Sequence, residues 1–142
     1  MKVPLASLFT AICLCALLLG ACAPPACGDA DWQDVSWKLQ AYGDPAALNN
    51  VIGNGITLTF VSKAKALNGS GGCNHYFGSY TVSRDCVLTI TQLGSTEMAC
   101  LAEGLMAQEQ AYYNLLQDAD KLAVKNGELR ITCGNELLIF TR

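Results

Sequence analysis

The residues best suited to chemistry lie between Gly69 and Tyr80, "GSGGCNHYFGSY", where glycines frame Cys73, Asn74 and the chain's single histidine, His75. A cysteine nucleophile needs a base within hydrogen-bond reach and a depressed thiol pKa. On a strand, Cys73 and His75 are two residues apart and share a face, so a thiol–imidazole pair is sterically allowed. A lone Cys-x-His is a weak signature, however, and an oxidising compartment favours disulfides over thiols. Zinc needs about four ligands, and no CxxC or HxxxH half-site supplies two of them. The structural reading is simpler. Gly69, Gly71 and Gly72 allow a bulge or close backbone packing, Cys73 is bridged, and His75 sits on the surface or a rim. No catalytic, cofactor or metal site is expected, and the chain does not read as an enzyme.

That choice turns on compartment, which the N-terminus addresses. Lys2 is the only charged side chain before Asp29, and an apolar run lies between them. A cationic start followed by an apolar core is the pattern of a secretory signal. The run also approaches the roughly 20 residues that cross a bilayer, so an uncleaved anchor is the alternative. "LGAC", Leu19 to Cys22, resembles the lipobox of prokaryotic lipoproteins, with small residues for a peptidase groove and a thiol for acylation directly after the cut. Residues 1–21 are therefore expected to be a lipoprotein signal peptide. Cys22 would begin the mature chain and carry the acyl chains that hold it at a membrane. This places the protein outside the cytoplasm, at the outer membrane where the host has one. Residues 22–34 read as a tether, stiffened by Pro24 and Pro25 and solvated by Asp29, Asp31 and Asp34.

Residues 35–142 are long enough for one domain with one core. The mature chain carries eight basic and twelve acidic side chains with no basic stripe, so nucleic acid is an unsuitable partner. No polybasic run adds to membrane attachment either. Cys27, Cys73, Cys86, Cys100 and Cys133 remain after processing, and five cysteines allow 15 arrangements of two bridges.

Periodicity places these residues on elements. Val35, Trp37 and Leu39 alternate with polar residues, as do Ile56, Leu58 and Phe60, then Tyr76, Gly78, Tyr80 and Val82, then Cys86, Leu88 and Ile90. Each reads as a strand with one buried face. From about Ala99 to Asp118 the period becomes helical, with Leu101, Leu105, Tyr112, Leu115 and Ala119 on or near one side and Ser95 or Thr96 as cap. Gly104 weakens the first turn. Trp37 and Tyr112 are expected in the core. Asn126-Gly127 and Gly134-Asn135 suit two-residue hairpin turns. Those turns put Val124 opposite Leu129, Leu122 opposite Ile131, Ile131 opposite Leu138 and Leu129 opposite Phe140. Both hairpins then share one apolar face, which predicts a three-stranded meander.

"SGGCNHYFGSY", "LGSTEMAC", "MAQEQAYYNLL" and the final "LLIFTR" resemble the META/HslJ domain family over roughly Trp37 to Arg142. The specific pieces are Gly72, Cys73 and Asn74, then Gly78 and Tyr80, then Ser95 and Thr96 with Met98, Ala99 and Cys100. The resemblance implies an α+β fold, an antiparallel, incompletely closed β-barrel packed around one helix. It also implies a non-enzymatic envelope protein loosely linked to stress. Two motifs of that resemblance hold Cys73 and Cys100, which are expected to be bridged, tying helix to sheet. Cys86 and Cys133 share inward parity with their strands and are expected to form the second bridge, leaving Cys27 free or joined to another molecule. The expected partners are the membrane, through Cys22, and an apolar ligand or envelope protein in a cleft between sheet and helix; an assembly factor pairing through a barrel edge is the alternative. A monomer is expected.

Overall fold

The structure, a computed structural model, describes residues 27–28, 31–53 and 55–142. The expected signal peptide and Cys22 lie outside the described residues. Strand alternation gives β1 (Ser36–Gly43), β2 (Asn49–Asn50), β3 (Thr57–Val61), β4 (Ala66–Ser70), β5 (His75–Val82), β6 (Leu88–Ser95), β7 (Ala119–Lys125), β8 (Glu128–Cys133) and β9 (Glu136–Thr141). A single helix, α1 (Leu105–Gln117), precedes β7. The strands form one antiparallel sheet in the order β6-β5-β4-β3-β1-β9-β8-β7, and β2 adds to β1. The sheet curls until its edges meet at a bridge between Val87 and Lys121, where the Leu122 N–H also donates to the Cys86 carbonyl at 3.0 Å. Towards Ser95 the edges part, and α1 packs into the gap against β6, β8 and β9. The result is the expected open barrel around a helix.

The period-two pattern buries one face of each strand. Trp37, Leu39, Ile56, Leu58, Phe60, Tyr76, Tyr80 and Leu88 all turn inward. Each large side chain taken from water contributes about 1.5–3 kcal/mol. Trp37 and Tyr112 are both core residues, fully buried. In the meander all four expected pairs occur in the expected register, and all six side chains are buried. Asn126 and Gly127 both have positive φ, 54° and 76°, the type I′ geometry that matches strand twist. In the second turn only Gly134 does, at 61°, as type II′ requires.

Three expectations change. The helix begins at Leu105, later than about Ala99, with Gly104 in the left-handed region (φ 77°) and no side-chain cap. The backbone before it is engaged elsewhere: Met98 is held through both its N–H and carbonyl by Asn74. Leu101, expected on the buried helix face, is consequently fully exposed.

The second change concerns the tether, whose C-terminal part is docked on the barrel. Trp32 packs edge-on against Phe60 and Tyr80, and Asp34 accepts hydrogen bonds from the Ser62 N–H and hydroxyl.

The third is the second disulfide. Cys86 is bonded to Cys27, not Cys133, with Cα atoms 5.5 Å apart. Along the outer edge of β7, the Leu122 and Val124 N–H groups donate to the carbonyls of Cys86 and Cys27, which sets the two cysteines side by side. Cys133 lies on β8, opposite Ala119, so β7 stands between it and Cys86. Two strand spacings come to about 9–10 Å, beyond the Cα separation a disulfide spans. Cys133 remains a buried thiol, and Cys27 is not free.

Candidate functional site

The "GGCNH" turn is built for close approach. Gly71 donates its N–H to the Asn74 carbonyl at 2.7 Å, and Gly72 takes a φ of 105° that a side chain would strain. A Cβ on Gly71 would collide with Glu109 Oε1 and the Tyr113 hydroxyl. The missing side chain therefore lets α1 seat a carboxylate directly on the turn. Glu109 is buried, and its Oε1 accepts the Asn74 N–H at 2.6 Å, the Cys73 N–H at 3.2 Å and the Tyr113 hydroxyl at 3.2 Å. Its Oε2 accepts the Asn74 side-chain amide at 2.8 Å.

Asn74, also buried, carries the connection onward. Its Oδ1 accepts the Thr96 hydroxyl at 2.8 Å and the Met98 N–H at 2.7 Å, while its Nδ2 also donates to the Met98 carbonyl at 3.2 Å. Cys73 is bonded to Cys100, with Cα atoms 6.0 Å apart. One turn of β-sheet, one loop and one helix are thus joined covalently and by hydrogen bonds. Alongside, Gln108 exchanges two hydrogen bonds with the Ile52 backbone, at 2.7 and 3.1 Å, pinning a second loop to α1. Tyr76 donates to the Thr57 carbonyl at 2.7 Å, which leaves Tyr112 as donor in the 2.6 Å contact between the two hydroxyls.

These contacts fix the electrostatics. Burial pushes the Glu109 carboxyl up, but the donors of Asn74, Cys73 and Tyr113 outweigh it and hold the group below its ordinary 4.5. Burial raises the Tyr76 and Tyr112 phenols well above their usual range, so both stay protonated. The Cys133 thiol is pushed up to about 12 by burial, then by Asp120, Asp118 and Glu136. Glu109 is therefore an ionised carboxylate whose oxygens are already occupied, Cys73 has no free thiol, and His75 is exposed. Such an arrangement positions backbone, with the Glu109 carboxylate and the Cys73 sulfur both already engaged.

The family description of the META domain matches residues 30–142. The chain belongs to the META domain family. Among solved structures, this META domain is similar to a protein from Burkholderia xenovorans determined by NMR. The two are 33% identical with a TM-score of 0.67, over 78% of this chain and 83% of that one. A second NMR structure, 19% identical (TM-score 0.59, 77% and 89% covered), shares the fold alone. So does a crystal structure of a DUF4847 family protein from Bacteroides vulgatus, 13% identical (TM-score 0.55, 78% and 93% covered). Among curated proteins, none matches.

The residues that carried the resemblance divide into two groups. Gly72, Cys73, Asn74, Ser95, Thr96, Met98, Ala99 and Cys100 converge around Glu109, a residue that no motif of the sequence singles out. Gly78 and Tyr80 do not join them. Gly78 faces a bulge at Gln92 and Leu93, where a Cβ would come within 3.2 Å of the Thr91 carbonyl oxygen. Tyr80 points to the other end of the barrel, against Trp32 and Phe60, with Gln33 on its hydroxyl. Beside the META-domain knot, a cleft of about 380 Å³ opens between α1 and the loop after β6, lined among others by Thr96, Met98, Met106 and Tyr113. Met98, Leu101 and Met106 are 54%, 102% and 49% exposed, an apolar collar at this end of the barrel.

Proposed function

We propose that this META domain is a non-catalytic, monomeric binding module of the cell envelope, anchored to a membrane by acyl chains on Cys22. The observation that carries the binding role is that half-exposed Met98 and Met106 line the cleft, with fully exposed Leu101 on the loop between them in sequence. Exposing large apolar side chains at one end of the barrel has a solvation cost that a partner would remove, and methionine adapts to varied surfaces. The Asn74–Glu109 knot and the Cys73–Cys100 bridge hold the collar's loop in place, so little ordering is left for binding. Ser95, Thr96, Glu97 and Tyr113 line the same cleft. Apolar anchors among hydrogen-bonding groups suit a polypeptide segment better than an acyl chain.

Strand addition at a barrel edge draws less support. β6 carries the bulge at Gln92 (φ 55°), a device that spoils an edge for pairing. Support for the anchor comes from "LGAC" and from two disulfides, which suit an oxidising compartment. A photo-crosslinker at Leu101 should capture one envelope protein in living cells, and the same probe at Lys125 should not. Equal capture from both positions, or lipid alone at Leu101, would overturn the partner reading. Cys22→Ser should leave an uncleaved precursor that takes up no labelled fatty acid. Normal processing with unchanged labelling would rule out the anchor.

A further inference from the structure

The turns of the barrel sort charge by end. Sheet register places the 62–65, 83–87 and 126–127 turns at one end, together with the chain terminus at Arg142. The loop after β1, the 96–104 loop and the 134–135 turn lie at the other, with the collar. Lys63, Lys65, Arg84, Lys125 and Arg142 all stand exposed at the first end, against the four carboxylates of Asp31, Asp34, Asp85 and Glu128. At the second end Asp44, Glu97, Glu103, Asp118, Asp120 and Glu136 are exposed, and among the described residues Lys121, next to Asp120 on β7, is the one lysine or arginine near them. Asp120 belongs there because it accepts the N–H of Gly134 in the 134–135 turn. The basic residues are scattered along the sequence, and no window of it shows a patch. The fold collects them.

The covalent geometry singles out the same end. Cys27 is fixed there twice, by the disulfide to Cys86 and by the bridge from Gly28 to Val124. Five residue steps separate Cys22 from Cys27, and a chain of that length spans at most about 18 Å when fully extended. Acyl chains on Cys22 would therefore hold Cys27 close to the lipid surface. β6, eight residues long, runs from beside Cys86 to the collar, a separation of about 25 Å.

We infer that the domain stands end-on at the membrane, its basic turns against anionic lipid headgroups and its acidic, collar-bearing end held away. The inference rests on acylation of Cys22. Leash and charge act in the same sense: the disulfide sets which end is near, and the basic turns favour a negatively charged surface over a tumbling domain. The opposite end is left facing outward, where a partner can reach the collar.

The test uses the native, acylated protein in nanodiscs containing phosphatidylglycerol and a gadolinium-chelating headgroup, with amide relaxation read by NMR. Mass spectrometry of the Cys22 peptide is recorded first. Amides of residues 62–65, 83–87 and 125–127 should relax several-fold faster than those of 44, 97–103 and 134–136. Lys63→Glu with Lys125→Glu, both at exposed positions, should weaken that gradient, as should added salt. A flat or reversed gradient in acylated protein would overturn the orientation while leaving the anchor standing. A gradient unchanged by charge reversal and salt would overturn the headgroup contact. An unacylated Cys22 would overturn the anchor, and this orientation with it.

Discussion

Glu109→Gln isolates the carboxylate that holds the knot together. The exchange keeps shape and volume but replaces one oxygen by an N–H donor. With the amide oxygen kept towards Cys73 and Asn74, the new donor faces the Asn74 amide, itself a donor 2.8 Å away in the native protein. An unsatisfied buried donor costs about 1–3 kcal/mol. The three bonds remaining at Oε1, from Asn74, Cys73 and Tyr113, change from charged to neutral, each weaker by about 1 kcal/mol. Removing a buried charge returns part of this loss, so the net destabilisation should be about 2–4 kcal/mol. Guanidinium unfolding without reductant, which keeps both disulfides intact, measures it. The sign of the pH dependence follows from the lowered folded-state pKa. Native stabilisation is fully present above the unfolded value near 4.5 and is lost as pH falls through the folded one. The gap between wild type and variant should therefore be widest at neutral pH and narrow well below 4.5. A variant within about 0.5 kcal/mol of wild type at neutral pH, or a gap indifferent to pH, would refute the argument.

The cysteine assignments can be read chemically. Unreduced peptide maps should yield Cys27 linked to Cys86 and Cys73 linked to Cys100, while native Cys133 should resist alkylation until the protein unfolds; a Cys73 thiol labelled in folded protein would contradict this. Removing either bridge should cost up to about 3–4 kcal/mol in thermal or denaturant unfolding, the longer Cys27–Cys86 loop the more, and no loss would show that the bridge closes nothing in the unfolded chain. Gly127→Val should cost about 1–3 kcal/mol purely through backbone strain, because a Cβ there meets nothing within 4 Å. A neutral result would remove the type I′ assignment.

How far the sequence reveals this depends on how local each determinant is. The meander is legible because two turns independently fix register, and Leu129 and Ile131 belong to both hairpins. Parity correctly turns Trp37, Phe60 and Tyr80 inward, since alternation is a property of the strand itself. Parity fails for Cys86 and Cys133 because facing inward says nothing about which strands are neighbours. The seam between β6 and β7, where Cys27 enters, is set by curling of the whole sheet. Glu109 is not legible for a related reason: a buried carboxylate looks like a solvated one until its donors arrive from residues 35 positions away. The helix starts later than its periodicity because Asn74 claims the Met98 backbone that a cap would use.

The position of β9 has a consequence for how the chain reaches this state. β9 lies between β1 and β8, and it pairs Thr141 with Lys38, about a hundred residues earlier. A chain emerging N-terminus first can form the β3–β4–β5–β6 ribbon early, from hairpins between near neighbours. β1 has to wait for its second long partner, the last of the described strands. Contacts this distant in sequence slow the search, because the intervening chain must be ordered before they form. Until β9 arrives, β1 and β8 each present an unpaired edge to other chains, so the interval before β9 docks is when this barrel is most open to closing on a neighbour.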